Sequence, residues 1–507
     1  ILFSKENIVS ILMQRRSVNS DVVHLDGEEG PSNVRSRRYM QHRRRQRRKR
    51  GSGGFDFLER MGIDANAQVV LAGIVLLCLT AAVVLKMRLS GGSKGDGRDI
   101  NRIGSNKERK EGKHNHYGRG EQYRIPEAMR EFGDRSSRYA ELREEYDALL
   151  PPDPQRSRQA VQSLIKRTYK QIDPSSMSYD IYNCPLTPPP GYPMQWKVTE
   201  VLNNWNPDDV TPHTDIYQGL CVFDFEVDFE KALNYREAEL PFIVRNDPEV
   251  LRATERWNYP GYMKKLMDDD KHRTEYSKNN HFMYFVPPKA NVGRKHHVNT
   301  PKDWKPPHKE FRMTYEEWLS HADTTDDNLG PDKPHWYHRL IGCGSMGKDC
   351  DHFSSEYLFD ELTFLQPVED KLYVIEPEEQ KGIHCRFGMK GVIAENHFDA
   401  TRNAIVLLGG ERRYLLSHPN QCENLALYPK DHPSARHSAI DWSNPDLETF
   451  PQFDRATVNE VVMQAGDVLY LPTYWFHHII SLEINYQCNA RSGVGEERYR
   501  LIEECGF

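Results

Sequence analysis

At 507 residues, with 38% hydrophobic and 28% charged side chains, the chain can bury a large core and is too long for one ordinary domain. Nine cysteines exclude a disulfide-dense miniature scaffold, and the apolar content excludes wholesale disorder. The net charge of −6 conceals a segregation: residues 1–64 carry +6, 65–85 no charge, 86–124 again +6, and 125–507 carry −18.

Residues 1–64 form a basic tail predicted to be disordered, with ten Lys/Arg among the sixteen residues from Arg35 to Arg50. Such a run can serve nucleic acid or acidic lipid; beside an apolar segment it reads as a solvated tail that sets membrane orientation. Residues 65–85, ANAQVVLAGIVLLCLTAAVVL, are 21 uncharged residues, long enough for one transmembrane helix. A cleaved signal peptide has a shorter apolar run and a small-residue cleavage site. The upstream arginines favour a cytoplasmic N-terminus, hence a type II single-pass protein with its body in the ER or Golgi lumen. Eight of the nine cysteines lie in that body, an even number that permits disulfides, with Cys343 and Cys350 the nearest local pair. The body carries no Asn-x-Ser/Thr sequon, which runs against a lumenal location.

Residues 86–124 are Gly-, Lys- and Arg-rich and read as a flexible tether. Residues 125–195 form a helical and extended linker region, with helices predicted over 126–150 and 157–172, then the stiff PLTPPPGYP at 185–193. Short helical and extended pieces alternate over 196–381. From Gly382 to Ser492 the pattern becomes short β-branched runs separated by turns, the signature of a barrel or jelly roll.

Within residues 125–507 His-x-Asp occurs three times, at His213/Asp215, His321/Asp323 and His397/Asp399. On a strand, residues i and i+2 face one side, so only a strand-borne pair aims imidazole and carboxylate at one point. A later His completes the 2-His-1-carboxylate set that leaves positions open on Fe(II). His213 follows Pro212 in a turn-like stretch, and His321 ends the helical MTYEEWLSH. Only His397 is followed by a β segment with a third candidate, GDVLYLPTYWFHHI at 466–479.

Taken together, GMKGVIAENHFDATRNAIVLLGGERRYLL, DWSNPDLETFPQF and AGDVLYLPTYWFHHIISL resemble the JmjC-type, cupin-like Fe(II)/2-oxoglutarate oxygenases. Within that family the nearest likeness is to the asparaginyl hydroxylase that modifies hypoxia-inducible factor. It covers residues 382–492, thins to a few anchors over 196–381, and is absent from 1–195. The resemblance implies an α+β fold dominated by a double-stranded β-helix (jelly-roll or cupin) core, split here into an N-terminal part at 196–381 and a core at 382–507. It implies Fe(II) held by His397, Asp399 and His477, with His478 a neighbour. It places Asn403 and Asn489 beside metal and co-substrate, and Tyr337 and Arg412 on the far carboxylate of 2-oxoglutarate. Arg491 is a second candidate for that salt bridge. Arg412 stands where the hydroxylase has Lys, Ala394 where it has a co-substrate-binding Thr, and Ala490 where it has an aromatic residue. The chain ends before that enzyme's dimerisation helices, leaving the oligomeric state open.

The implied activity is a membrane-anchored oxygenase that hydroxylates a protein or peptide side chain, since a body at −18 disfavours nucleic acid. The alternative, given weight by Ala394 and Arg412, is a catalytically inactive cupin-like scaffold or binding protein.

Overall fold

The computed structural model describes residues 127–150, 154–211, 213–287, 298–342, 355, 357–368, 371–495 and 498–507, with side chains from 138 onward. The basic tail, the predicted membrane span at 65–85, the tether and the Cys343–Cys350 pair lie outside the described residues. Among the described residues no helix is long and apolar enough to cross a membrane.

Of the two predicted helices, the first forms as Glu127–Leu149. The second begins at Pro154 but stops at Gln162, well short of 172. The apolar spacing of 160–169 continues past that point, yet tertiary partners take the segment away. Arg167 pairs with Glu411, and Lys170–Gln171 (β1) pairs in parallel with Asp215–Ile216 (β3).

Short strands follow: β2 (Trp196–Lys197), β4 (Val222–Asp224), β5 (Phe242–Arg245), β6 (His272–Ser277), β7 (His281–Phe282), β8 (Lys309–Met313) and β9 (His335–Gly342). The last eight are β10 (Ile383–Gly388), β11 (Ile393–Phe398), β12 (Asn403–Gly409), β13 (Glu411–Ser417), β14 (Thr457–Gln464), β15 (Val468–Leu471), β16 (Phe476–Ser481) and β17 (Asn485–Arg491). They build two sheets. The larger runs β4-β5-β15-β12-β17-β10-β9-β6-β8 and the smaller β2-β14-β13-β16-β11-β7. From β10 to β13 successive strands alternate between the sheets, and β14 to β17 repeat this in the reverse sense. This crossing gives a two-sheet sandwich of the jelly-roll kind that the strand spacing predicted.

Alternation along each strand sends one set of side chains inward and one outward. Ile405 and Leu407 of β12, Tyr414 and Leu416 of β13, and Ile479 of β16 meet Val461, Met463, Leu469 and Leu471 in one apolar cluster between the sheets. Burying each such aliphatic side chain contributes roughly 1.5–3 kcal/mol. Outside the larger sheet lies the helix Pro248–Trp257, capped by Asp247, whose carboxylate accepts from the amides of Glu249 and Val250. The amide of Asn258, just past this helix, donates to the Leu408 carbonyl on β12 (2.6 Å). Among the described residues three disulfides staple the fold: Cys184–Cys221, Cys385–Cys488 and Cys422–Cys505. The second joins residues directly opposite each other on β10 and β17.

Candidate metal centre

The apolar cluster fills one part of the interior; the other part is polar, because inward positions on β10 and β17 are His384, Arg386, Asn485, Gln487, Asn489 and Arg491. At this end β11 meets β16 with His397 directly opposite His477, after a shift of register between Ala394 and His397. Such a bulge bends a strand and re-aims its side chains. Asp399 lies one residue past β11. The three candidate ligand atoms all lie within 4.8 Å of one another, the group of this kind found among the described residues. His477 Nε2 and Asp399 Oδ2 are 4.0 Å apart, and the two imidazoles lie 4.2 Å apart at their centroids.

Second contacts fix how these groups present themselves. His397 Nδ1 donates to the Glu395 carbonyl at 2.7 Å, and His477 Nδ1 donates to the Trp475 carbonyl at 3.1 Å. A carbonyl can only accept, so the proton sits on Nδ1 and each Nε2 keeps its lone pair for a metal. Burial, joined by the neighbouring imidazoles, holds His397 well below the usual histidine range, so both rings are neutral. Burial opposes ionisation of Asp399. The Arg491 guanidinium, with Arg436 farther off, outweighs it and keeps the carboxylate charged. Asn403 donates to Asp399 Oδ2 (3.2 Å), and Asn489 donates to Asn403 Oδ1 (2.8 Å). Both asparagines are thus linked to Asp399, Asn489 through Asn403.

Arg412 is fully buried, yet no carboxylate among the described residues pairs with it. It donates to Asn485, to Gln487 and to the Tyr337 hydroxyl (3.3 Å), and its guanidinium lies 5.5 Å from the Tyr337 ring centroid. The two residues expected from distant parts of the chain thus meet. Leaving a guanidinium dry without a counter-ion is costly, so this corner fits an incoming carboxylate. Gly388 holds the corner open, since a Cβ there would come within 3.0 Å of Arg412 Nη2 and of Asn485 Nδ2. These observations fit the metal and the dicarboxylic co-substrate that the sequence implies.

Arg491 departs from expectation. It pairs with Asp399 at 2.6 Å instead of joining Arg412 and Tyr337, because its strand position places it opposite Asn403 at the metal end of β17. His478 behaves as a neighbour. It points out of the sandwich, stacks on Trp442 at 4.9 Å and lies 3.8 Å from Glu395. Of the other His-x-Asp pairs, His213 stacks on Trp205 and His321 lies in the helix Tyr315–Ala322 against Trp336.

Several residues of the site were not foreseen. Arg386, Asn485 and Gln487 could have been found from the polar–apolar alternation of NYQCNAR and of HCRFG. His437 could not. It stacks on His397 (4.8 Å) from an irregular loop, where only an isolated bridge ties it to β11.

A family model for the cupin-like domain matches residues 229–491, just over half of the chain. Human tRNA wybutosine-synthesizing protein 5 is 31% identical over 104 residues, which are 20% of this chain and 31% of that protein. Lysine-specific demethylase 8 of Danio rerio is 27% identical over 180 residues, 34% of this chain and 42% of that protein. Jumonji C domain-containing protein 5 of Drosophila melanogaster is 24% identical over 205 residues, 36% and 50% of the two chains. The chain therefore spans a third to a half of the length of these relatives. They support the JmjC-type likeness and do not single out the asparaginyl hydroxylase.

Proposed function

Because the chain belongs to the cupin-like domain family, we propose that it is an Fe(II)- and 2-oxoglutarate-dependent oxygenase that hydroxylates a protein or peptide side chain. The observation that carries this is the His397–Asp399–His477 triad, with both Nε2 lone pairs free and a carboxylate-hungry Arg412 deeper in the same interior. In this reading His397, Asp399 and His477 hold the metal, Asn403 orients the Asp399 carboxylate, and Arg412 with Tyr337 receives the far carboxylate of the co-substrate. Bound there, iron and 2-oxoglutarate supply the oxidising power for hydroxylation, with succinate and CO₂ as co-products. The sheets keep bulk water from the reacting atoms, and the neutral imidazoles keep their lone pairs without a proton competing for them.

The relatives are named for work on tRNA and on lysine. A net charge of −18 over residues 125–507 favours a protein substrate over a polyphosphate. We further propose that the body lies in an oxidising lumen, with the uncharged segment 65–85 as the expected anchor. Three disulfides support this, since such bonds are rare where thiols are kept reduced.

The test is thermal stabilisation of the full chain by 2-oxoglutarate with Mn(II) replacing iron, followed by succinate release with Fe(II). His397→Ala and Asp399→Ala should lose both. Full succinate release by both variants would sink the assignment. Metal binding by the parent chain without any response to 2-oxoglutarate would favour the scaffold reading.

A further inference from the structure

The inner face of the larger sheet carries a row of guanidiniums, Arg339, Arg386 and Arg491, beside the metal triad. Register places Arg339 of β9 opposite Arg386 of β10, and Arg386 opposite Gln487 of β17. Arg339 is answered by Glu275 (2.7 Å) and Arg491 by Asp399 (2.6 Å). Arg386 has no carboxylate partner among the described residues. Its side-chain acceptor is Asn489 Oδ1, 3.0 Å from Nη1. From there the hydrogen bonds run Asn489 to Asn403 (2.8 Å) and Asn403 to Asp399 (3.2 Å). Arg386 therefore stands at the end of a polar chain that begins on a metal ligand. Arg412 also lacks a carboxylate, but it sits with Tyr337 at the end already given to the co-substrate.

Burial, together with Arg339 and Arg491, draws the Arg386 guanidinium down to about 9, which leaves it cationic at neutral pH. At the rim, Arg436 approaches Asp399 Oδ1 at 3.8 Å and adds positive potential on the same side. A planar guanidinium fork matches a carboxylate bidentately, and placing one there relieves the cost of the uncompensated charge. The body as a whole is strongly acidic, at −18 over residues 125–507. A single side-chain carboxylate can enter such a site, whereas a nucleic-acid backbone meets a repelling exterior.

We propose that Arg386 anchors a second carboxylate subsite beside the metal triad, and that the substrate is a peptide segment bearing an acidic side chain. This rests on the oxygenase reading and deepens it. Arg386 is a positioning residue in this scheme, since it holds the substrate and touches no reacting atom.

The test uses the full chain with Mn(II) and 2-oxoglutarate, and two probes, N-acetyl-L-aspartic acid α-amide and its neutral counterpart N-acetyl-L-asparagine α-amide. Calorimetry should show the aspartate probe binding about tenfold more tightly. Arg386→Gln should erase that preference and Arg386→Lys should keep part of it. The 2-oxoglutarate affinity of both variants should stay within about threefold of the parent. Equal binding of the two probes by the parent chain overturns the proposal. So does a loss of 2-oxoglutarate binding in Arg386→Gln as large as the loss of preference, which would make Arg386 a co-substrate ligand. Tighter binding of inorganic phosphate than of the aspartate probe overturns it in favour of a phosphorylated substrate. Absence of Mn(II)-dependent 2-oxoglutarate binding in the parent sinks the oxygenase reading instead. The probe comparison, repeated with Mn(II) alone, then still decides the subsite.

Discussion

His477 and His478 are adjacent and equally buried, yet strand alternation gives them opposite roles. His477 turns inward with Nδ1 committed to the Trp475 carbonyl, while His478 turns outward onto Trp442. His477→Ala should abolish Mn(II) binding measured by electron paramagnetic resonance. His478→Leu should keep it while losing about 1–3 kcal/mol of stability, because the stacked ring and its volume are lost. Arg412 offers a second contrast. Removing a buried, charge-assisted contact to the co-substrate costs about 2 kcal/mol, so Arg412→Gln should weaken 2-oxoglutarate binding roughly 30-fold by calorimetry. Arg412→Lys should recover only part, since a point charge lacks the fork that reaches Asn485 and Gln487. An unchanged affinity in Arg412→Gln would remove this residue from the site. The candidate triad was suggested by His-x-Asp in strand-like sequence, with His477 chosen over His478 by the family resemblance. Its protonation was not, because the carbonyls that fix it belong to backbone geometry.

Among the elements, β11 is held from two sides. Antiparallel β16 supplies His477, and the short parallel strand β7 supplies His281, which pairs with Glu395 two residues before His397. Burial works against a charge on His281. The hydrogen bond and charge of Glu395, with Asp441 and Asp208, outweigh that and raise it to about 9. Burial in turn pulls the Glu395 carboxyl upward, so one proton is held between the pair. A histidine raised in the folded state stabilises fully below its unfolded value of 6.5 and loses that contribution as pH rises through 9. The melting temperature should therefore fall by roughly 2–4 °C for each kcal/mol lost across this window. His281→Gln should flatten the dependence; a parent chain with no fall between pH 6.5 and 9 would contradict it. The second predicted helix shows the limit of pattern at this scale. Its apolar spacing continues past Gln162, but Arg167 and β1 find better partners on Glu411 and β3, and tertiary contacts override local propensity.

For the whole molecule, the acidic body, the disulfides and the uncharged segment at 65–85 combine into one topological prediction. In intact vesicles a C-terminal tag should be protected from protease and an N-terminal tag should be cleaved. Cleavage of the C-terminal tag before detergent is added would place the body on the cytoplasmic side.

The sequence by itself pointed to the sandwich through period-two alternation, a local property of a strand, and to the candidate triad through its resemblance to a known family. It also marked Tyr337 and Arg412 through their resemblance to a known pattern. Tertiary structure alone decided which side chains share a corner. Arg412 and Tyr337 lie 75 residues apart and meet only because β9 and β13 belong to opposite sheets of one sandwich. Arg491 goes to Asp399 because register sets it opposite Asn403, a fact no spacing reveals. Cys385 finds Cys488 across 103 residues for the same reason. Long-range pairing follows from strand order and register, and these are settled when the two faces bury each other, not by the residues of either strand alone.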